Sequence, residues 1–531
     1  MHNALDRLAA LPSSWNLGRS RVLKVGFFIF ALLAAYPVAG YVLSGDFTTL
    51  ELIAFGFACI AFVIVVLKDW RRGLYIALTW LLFEDFIRKF LGNNMAIYFV
   101  KDILITLVYA SLFRAYQRKI KGLKIFRPPF ILALAIFVWF GLLQVFNPAS
   151  TSIFYGIMGM KIYFYYIPLI VVGYALINSE VDLRRFFYFN LALMLIIAAL
   201  GIVQSIAGPT FLSPAVMADD IAMLSQLYRK APISGVMVYR PTSVFVSAGR
   251  FADLLLVAWV CALGFGGYLL LRPTRGRWFS FVVLTATAGA CVMCASRGAF
   301  MWTLGNGLVA AFAFVWGAPW RQGKARHVFR GLQRVLLGAT LAMTVLFFAY
   351  PEELLNRFAV YSETLDPRSP SSELSWRTGQ YPMQNFLYAF DSDRWLYGFG
   401  IGTVSLGGQY VSRIFHVSPP TFGPENGFGA IVTEMGIFGL ALWLTMSVAV
   451  LVPAWRVVRM LRGSPWFPLG FMIFWYALIL LLPLTYLGLQ PYQDFILNAY
   501  LWLLLGILFR LPTIKLSNPA AGQPVERCAK V

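Results

Sequence analysis

The sequence predicts an all-α, polytopic membrane protein with about 14 transmembrane helices and one large loop on the outer face. Three observations predict it. The chain of 531 residues is 60% hydrophobic and only 13% charged, about half the charged fraction of an ordinary soluble domain. Apolar runs of about 20 residues, the length that crosses a bilayer, recur along it. Basic residues collect in alternate loops, the pattern that orients a membrane protein.

Taken in order, spans are expected near 25–44, 49–67, 73–91, 96–113, 129–146, 157–178, 186–206, 247–271, 279–295, 299–317, 335–350, 426–453, 467–487 and 493–510. The loops at 68–72, 114–127, 179–185, 272–277, 321–334 and 455–462 are basic, whereas 44–47 and 147–152 are not. This bias puts both termini in the cytoplasm. The opening segment, MHNALDRLAALPSSWNLGRSRVLK, reads as a retained basic end because no small-residue cleavage site follows it. The expected organisation is a bundle over 1–350, an outer loop over 351–424, three further helices over 425–510 and a cytoplasmic tail over 511–531. Segments 207–246 and 351–424 are too long for turns and mix aromatics with glycines, so short helices over the membrane are expected there.

Composition also excludes. The formal charge of +21 lies in short clusters between apolar runs, which reads as topology and not as nucleic-acid binding. The five cysteines sit mostly in apolar runs, and Cys291 with Cys294 forms a C-x-x-C inside an apolar helix, a packing pair. His2, His327 and His416 stand near no cysteine pair, so no metal site and no cofactor is expected.

The ionisable residues inside the spans concentrate in the outer half. Glu84, Asp85, Arg88, Lys101, Asp102, Lys161, Arg250, Asp253, Arg297, Glu425 and Asp494 stand at or near outer ends, and Glu434 lies nine residues beyond Glu425, roughly 13 Å deeper. Each alone could snorkel or pair with a neighbour, as Lys101 with Asp102. Together they predict a polar cavity opening outward, with an inner half that lacks buried charge. Arg240, Arg250, Arg297 and Arg377 all fall near outer ends, and the planar guanidinium suits bidentate phosphate binding. The glycines of GFGIGTVSLGG (398–408) form no P-loop. A pyrophosphate carried on a lipid is the expected ligand.

Four elements carry a family resemblance: ASRGAF (295–300), RPTSVF (240–245), the R-T-G segment leading to LYGFGIG (377–402), and ENGF followed by EMGIFGL (425–440). In order and sidedness they resemble the O-antigen polymerase and ligase superfamily, and GMKIYFYYIPL (159–169) is similar to a segment of its exopolysaccharide polymerases. The resemblance implies a GT-C-like, metal-independent glycosyltransferase in the bacterial inner membrane, with its loop and active site facing the periplasm. It implies an undecaprenyl-pyrophosphate-linked glycan as substrate, and other polysaccharide assembly and export proteins as partners. Carried over, Arg240 and Arg297 would bind the pyrophosphate. The family usually has His-Asn where this chain has Glu425 and Asn426, which weighs against a ligase.

The expected roles follow. Glu425 is the general base for the acceptor hydroxyl; Arg297, with Arg240, Arg250 and Arg377, binds and neutralises the pyrophosphate; Asn426, Glu434 and His416 support them, His416 as the substitute base and Glu434 as the partner of an arginine or a helix. The expected reaction is inverting polymerisation of lipid-linked repeat units. Transfer to a lipid or protein acceptor and flipping of a lipid-linked oligosaccharide are the rivals, and a structural scaffold is the third.

Overall fold

The structure is a computed structural model that describes residues 63–516 apart from breaks at 92–94, 121, 213–226, 273–275, 367–375, 406, 418–422 and 489–490, with only scattered positions between 320 and 346. The expected span at 25–44, most of that at 49–67 and the tail beyond 516 lie outside the described residues. In chain order the elements are α1 (Trp70–Phe90), α2 (Met95–Gln117), α3 (Ile131–Val145), α4 (Ile153–Phe164), α5 (Leu169–Leu176), α6 (Glu180–Ala207), β1 (Tyr228–Lys230), β2 (Met237–Tyr239), α7 (Ala248–Leu271), α8 (Arg277–Met293), α9 (Arg297–Gly317), α10 (Pro351–Leu365), α11 (Tyr381–Tyr388), α12 (Gly408–Phe415), α13 (Gly427–Met460), α14 (Phe467–Ile479) and α15 (Phe495–Arg510).

Among the described residues seven stretches are long and apolar enough to cross a membrane: α4 with α5, α6, α7, α9, α13, α14 extended to Leu487, and α15 extended to Thr513. Length and apolarity thus support seven of the fourteen expected spans among the described residues. Helices α1, α2, α3 and α8 do form at expected positions. The first of these buries Glu84, Asp85 and Arg88, and α3 and α8 are only 15 and 17 residues long.

Polar caps start these helices where apolar runs begin. The side chains of Ser179, Ser247, Ser296, Asn426 and Asp494 each accept an amide hydrogen bond in the first turn of α6, α7, α9, α13 and α15, worth about 1 kcal/mol apiece. Beyond the cap, α9 leaves Leu304, Leu308, Phe312 and Val315 exposed along one stripe, at the spacing of a single helix face. A stripe that apolar suits lipid and not water. Helix α15 is the opposite case and is buried almost throughout. It lies against α5 with the backbones in contact: a Cβ on Gly173 would stand 2.1 Å from the Leu503 carbonyl oxygen, and one on Gly506 would stand 2.1 Å from that of Ile170. Only glycine permits that approach.

Helix α13 is broken inside its apolar run. Gly436 has φ 69° and ψ −175°, a conformation essentially confined to glycine, and the segment 394–405 enters the gap. The amides of Phe399 and Gly400 donate to the carbonyls of Thr433 and Glu434 at 2.8 and 2.9 Å, and the amide of Ile437 donates to Trp395. Carbonyls released by the break are thus satisfied by the inserted chain, as burial requires. The inserted segment also packs on α4, where a Cβ on Gly402 (φ 88°) would meet the Tyr155 carbonyl oxygen at 2.0 Å.

Two expectations about loops change. Segment 207–246 contains an antiparallel hairpin, with Arg229 opposite Val238, and not only helix. Segment 351–424 does contain three short helices, α10 to α12, but its 394–405 portion plugs α13 and does not lie over it.

The loops gather at two ends. Arg184, Arg272, Arg462 and Arg510 mark one, with Arg510 donating to Ile177 at 2.8 Å and the Gly463 amide to Gly317 at 2.8 Å. The start of α7, the hairpin and α10 share the other. Contrary to the expectation of an inner half without buried charge, the basic end buries Glu180, which accepts from Tyr268, from Arg184 at 2.8 Å and from Arg272 at 3.1 Å.

Candidate functional site

At the hairpin end, local structure first fixes the RPTSVF turn. Gln204 of α6 accepts the amides of Thr242 and Ser243 at 2.9 and 2.6 Å, and Lys89 donates to Thr242 Oγ1 at 2.8 Å and to the Ser243 carbonyl at 2.7 Å. Ser243 sits at φ 51°, and Ala295, in the ASRGAF turn between α8 and α9, at φ 50°. For residues with a side chain this left-handed backbone costs roughly 1–2 kcal/mol each. Both elements expected to carry phosphate-binding arginines thus hold a strained residue, a feature that collects at functional sites.

A single guanidinium ties the two turns together. Arg357 of α10 is fully buried; it donates to the carbonyls of Tyr239 at 3.0 Å, Met293 at 2.8 Å and Ser205 at 3.2 Å. Tyr361, one turn on, donates to Val292 at 2.7 Å. The hairpin, the end of α8 and the end of α6 are held by one side of α10.

Beside this frame opens a cavity of about 590 Å³ between α7, α9 and the stretch 484–497, within the range of ordinary ligand sites. Arg229 and Arg297 line it, with Ser296 and Gly298 at the start of α9. Arg297 also donates to the Lys230 carbonyl at 3.3 Å. Arg240 is close to Arg229: burial, and next the Arg229 guanidinium, press its pKa down to about 10. Asp253 of α7 also lines it, while Leu256, Met301, Trp302, Leu484, Leu487 and Leu497 make the remainder largely apolar. A cationic wall joined to an apolar one fits an anionic head on a hydrocarbon tail.

The residues predicted from sequence divide. Arg297 lines the cavity, and Arg240 does not but is close to Arg229, which does. Arg250 does not join them: it pairs with Asp85 at 2.7 Å and Asp494 at 3.6 Å, inside a buried layer where Arg88 also meets Asp85 at 2.9 Å and Lys101 meets Glu84 at 2.8 Å. Three cations there face Glu84, Asp85 and Asp494, and Asp253 stands near enough to Arg250 and Asp494 to interact with both. Lys101 therefore does not pair with Asp102, which takes Lys161 instead. Arg377 falls on the π-helical turn Trp376–Gln380, whose Thr378 reaches the cavity.

Glu425 is exposed. Its carboxylate accepts from the Tyr381 hydroxyl, and its amide donates to Asn385 at 3.0 Å. Two residues on, the Gly427 amide donates to the carbonyl of Gly488, which lines the cavity, at 3.1 Å. Asn426 is buried and structural, capping α13 and donating to Pro382 at 3.0 Å and Tyr486 at 2.6 Å. Glu434 pairs with no arginine among the described residues; it accepts from Ser405 Oγ at 2.7 Å and the Val404 amide at 3.1 Å, locking the inserted segment into α13. His416 is exposed, ends α12 at φ 52° and sits beside Phe415, which stacks on Phe154. It makes no hydrogen bond to Glu425 among the described residues.

Sequence reasoning missed Arg229 and Arg357, which were visible only as ordinary loop charges. Asp253 stood in the set of charges expected to form an outward cavity, one turn from Arg250 in an apolar helix where a carboxylate is costly, but it was given no role of its own. The C-x-x-C is a packed pair of buried thiols, with Cys294 donating to the Cys291 carbonyl at 3.1 Å. No protein-family model and no curated protein matches this chain.

Proposed function

We propose that the chain is an inverting glycosyltransferase of the inner membrane that polymerises undecaprenyl-pyrophosphate-linked repeat units on the periplasmic side, the activity its motifs resemble. One observation carries the reading: the cavity joins Arg229 and Arg297 to an apolar wall, as a diphosphate on a prenyl chain requires. The strained turns at Ser243 and Ala295 support it.

In this reading the diphosphate lies against Arg229 and Arg297, with Arg240 adding charge from nearby. An acceptor hydroxyl attacks the anomeric carbon as its proton passes to Glu425, which is open to the loop side. The bond from that carbon to the diphosphate oxygen breaks, and its electron pair leaves with the diphosphate. A single displacement inverts the anomeric centre. Asp253, a carboxylate in the same lining, holds donor hydroxyls. The bilayer supplies the donor, and other assembly and export proteins take the product.

The purified chain, given lipid-linked repeat units in vesicles, is expected to produce a ladder of lengthened products. A single addition to a lipid or protein acceptor would make it a ligase. Translocation without new glycosidic bonds would make it a flippase.

A further inference from the structure

A second cavity lies at the other end of the bundle. It has a volume of about 800 Å³ and is lined by Lys68, Arg71, Arg114 and Arg118, with Asp69 as its carboxylate. The cations come from the start of α1 and the end of α2. On α1 the buried charge layer begins at Glu84 and Asp85, about 15 residues from Trp70 and so roughly 22 Å away, so this groove and the arginine cavity are separate sites.

The single carboxylate is already engaged. Asp69 accepts from the Arg71 amide at 3.0 Å as the cap of α1 and pairs with Arg72 at 3.3 Å. Of the four cations, the only ring contact is Arg71 over Trp70, at 5.4 Å, and none forms an ion pair among the described residues. Four like charges in one groove favour an anion. The border of the groove says which kind. Ile64 and Ile120 line it and are exposed, with Leu67 and Leu123 beside them in the lining, so an anionic head seated on the cations would have its chains along an apolar flank. A free phosphate makes no use of that flank.

We propose that this groove binds the phosphate headgroup of an acidic phospholipid. The inference is independent of the reading of the arginine cavity and concerns the end that the charge bias makes cytoplasmic.

The test uses the full-length chain purified in detergent, with retained lipid counted by native mass spectrometry after exposure to phosphatidylglycerol, phosphatidylcholine or inorganic phosphate. Wild type is expected to retain phosphatidylglycerol and not phosphatidylcholine. Arg114→Gln and Arg118→Gln are each expected to lower that retention about fivefold. Arg118→Lys retains most of it, and Lys119→Gln, on the same turn but outside the lining, leaves it unchanged. Equal retention by wild type and the Arg114→Gln, Arg118→Gln double variant overturns the proposal. So does an equal loss in Lys119→Gln, which would mean a diffuse field, or displacement of the lipid by an equimolar amount of inorganic phosphate.

Discussion

The guanidinium of Arg357 donates to the carbonyl of Met293 at 2.8 Å, two residues before the left-handed turn at Ala295 and four before Arg297. Because the same group also holds Tyr239 and Ser205, removing it strands three carbonyls in a buried place. Arg357→Met is expected to cost about 1–3 kcal/mol for each carbonyl left unpaired, and to lower the thermal midpoint in detergent. Arg357→Lys, which cannot reach three acceptors, falls between. A midpoint unchanged in Arg357→Met would show that α10 does not hold the turns.

Gly436→Ala is expected to destabilise more than its single methyl suggests. The backbone conformation alone costs about 1–3 kcal/mol for alanine, and its Cβ would meet the Leu396 carbonyl oxygen at 2.1 Å. The inserted segment would be expelled, and protease sensitivity within 394–405 reports it. Equal cleavage of variant and wild type would refute the plug.

Much of this was legible in the sequence, and the part that was not has a common cause. Apolar runs and the residues capping them are local, so α7, α13 and α15 begin within a residue or two of their expected starts. The partner of Arg250 is 165 residues away at Asp85, and that of Glu434 is 29 away at Ser405. No periodicity encodes such pairs. The glycines at 398–402 were visible, but the reason for them, a close approach to the broken α13, depends on a fold no local pattern describes.

Arg297→Lys keeps the charge at the cavity wall and loses the fork. Polymer yield is expected to fall at least tenfold at unchanged protein level, read from glycan ladders of cells expressing each form. Wild-type yield from the lysine form would leave Arg297 as a turn residue.

The two carboxylates separate by kinetics. Glu425→Gln is expected to lower kcat by about 10²–10⁴-fold with donor binding intact, and Glu425→His to recover part of it, since imidazole accepts a proton near neutral pH. Asp253→Asn instead raises KM for the donor. If Glu425→Gln outperforms Glu425→His, Glu425 is not the base.

Orientation is tested by labelling intact cells with an impermeant thiol reagent. Asp393→Cys, exposed within 351–424, is expected to react, and Arg462→Cys at the basic end is not. The reverse pattern would place the arginine cavity in the cytoplasm.

The contact of α5 with α15 has a consequence for how such a chain can change over time. Gly173 and Gly506 each face a carbonyl of the opposite backbone, so a side chain arriving at either has no neighbouring side chain whose shrinkage could make room. Neither position can drift and be rescued by a compensating change elsewhere. Leu308 and Phe312, at 75% and 70% exposure on α9, carry the opposite licence: they can exchange among apolar residues with no partner to consult. Divergence in this protein should therefore run along the lipid-facing helices and pivot on the α5–α15 pair.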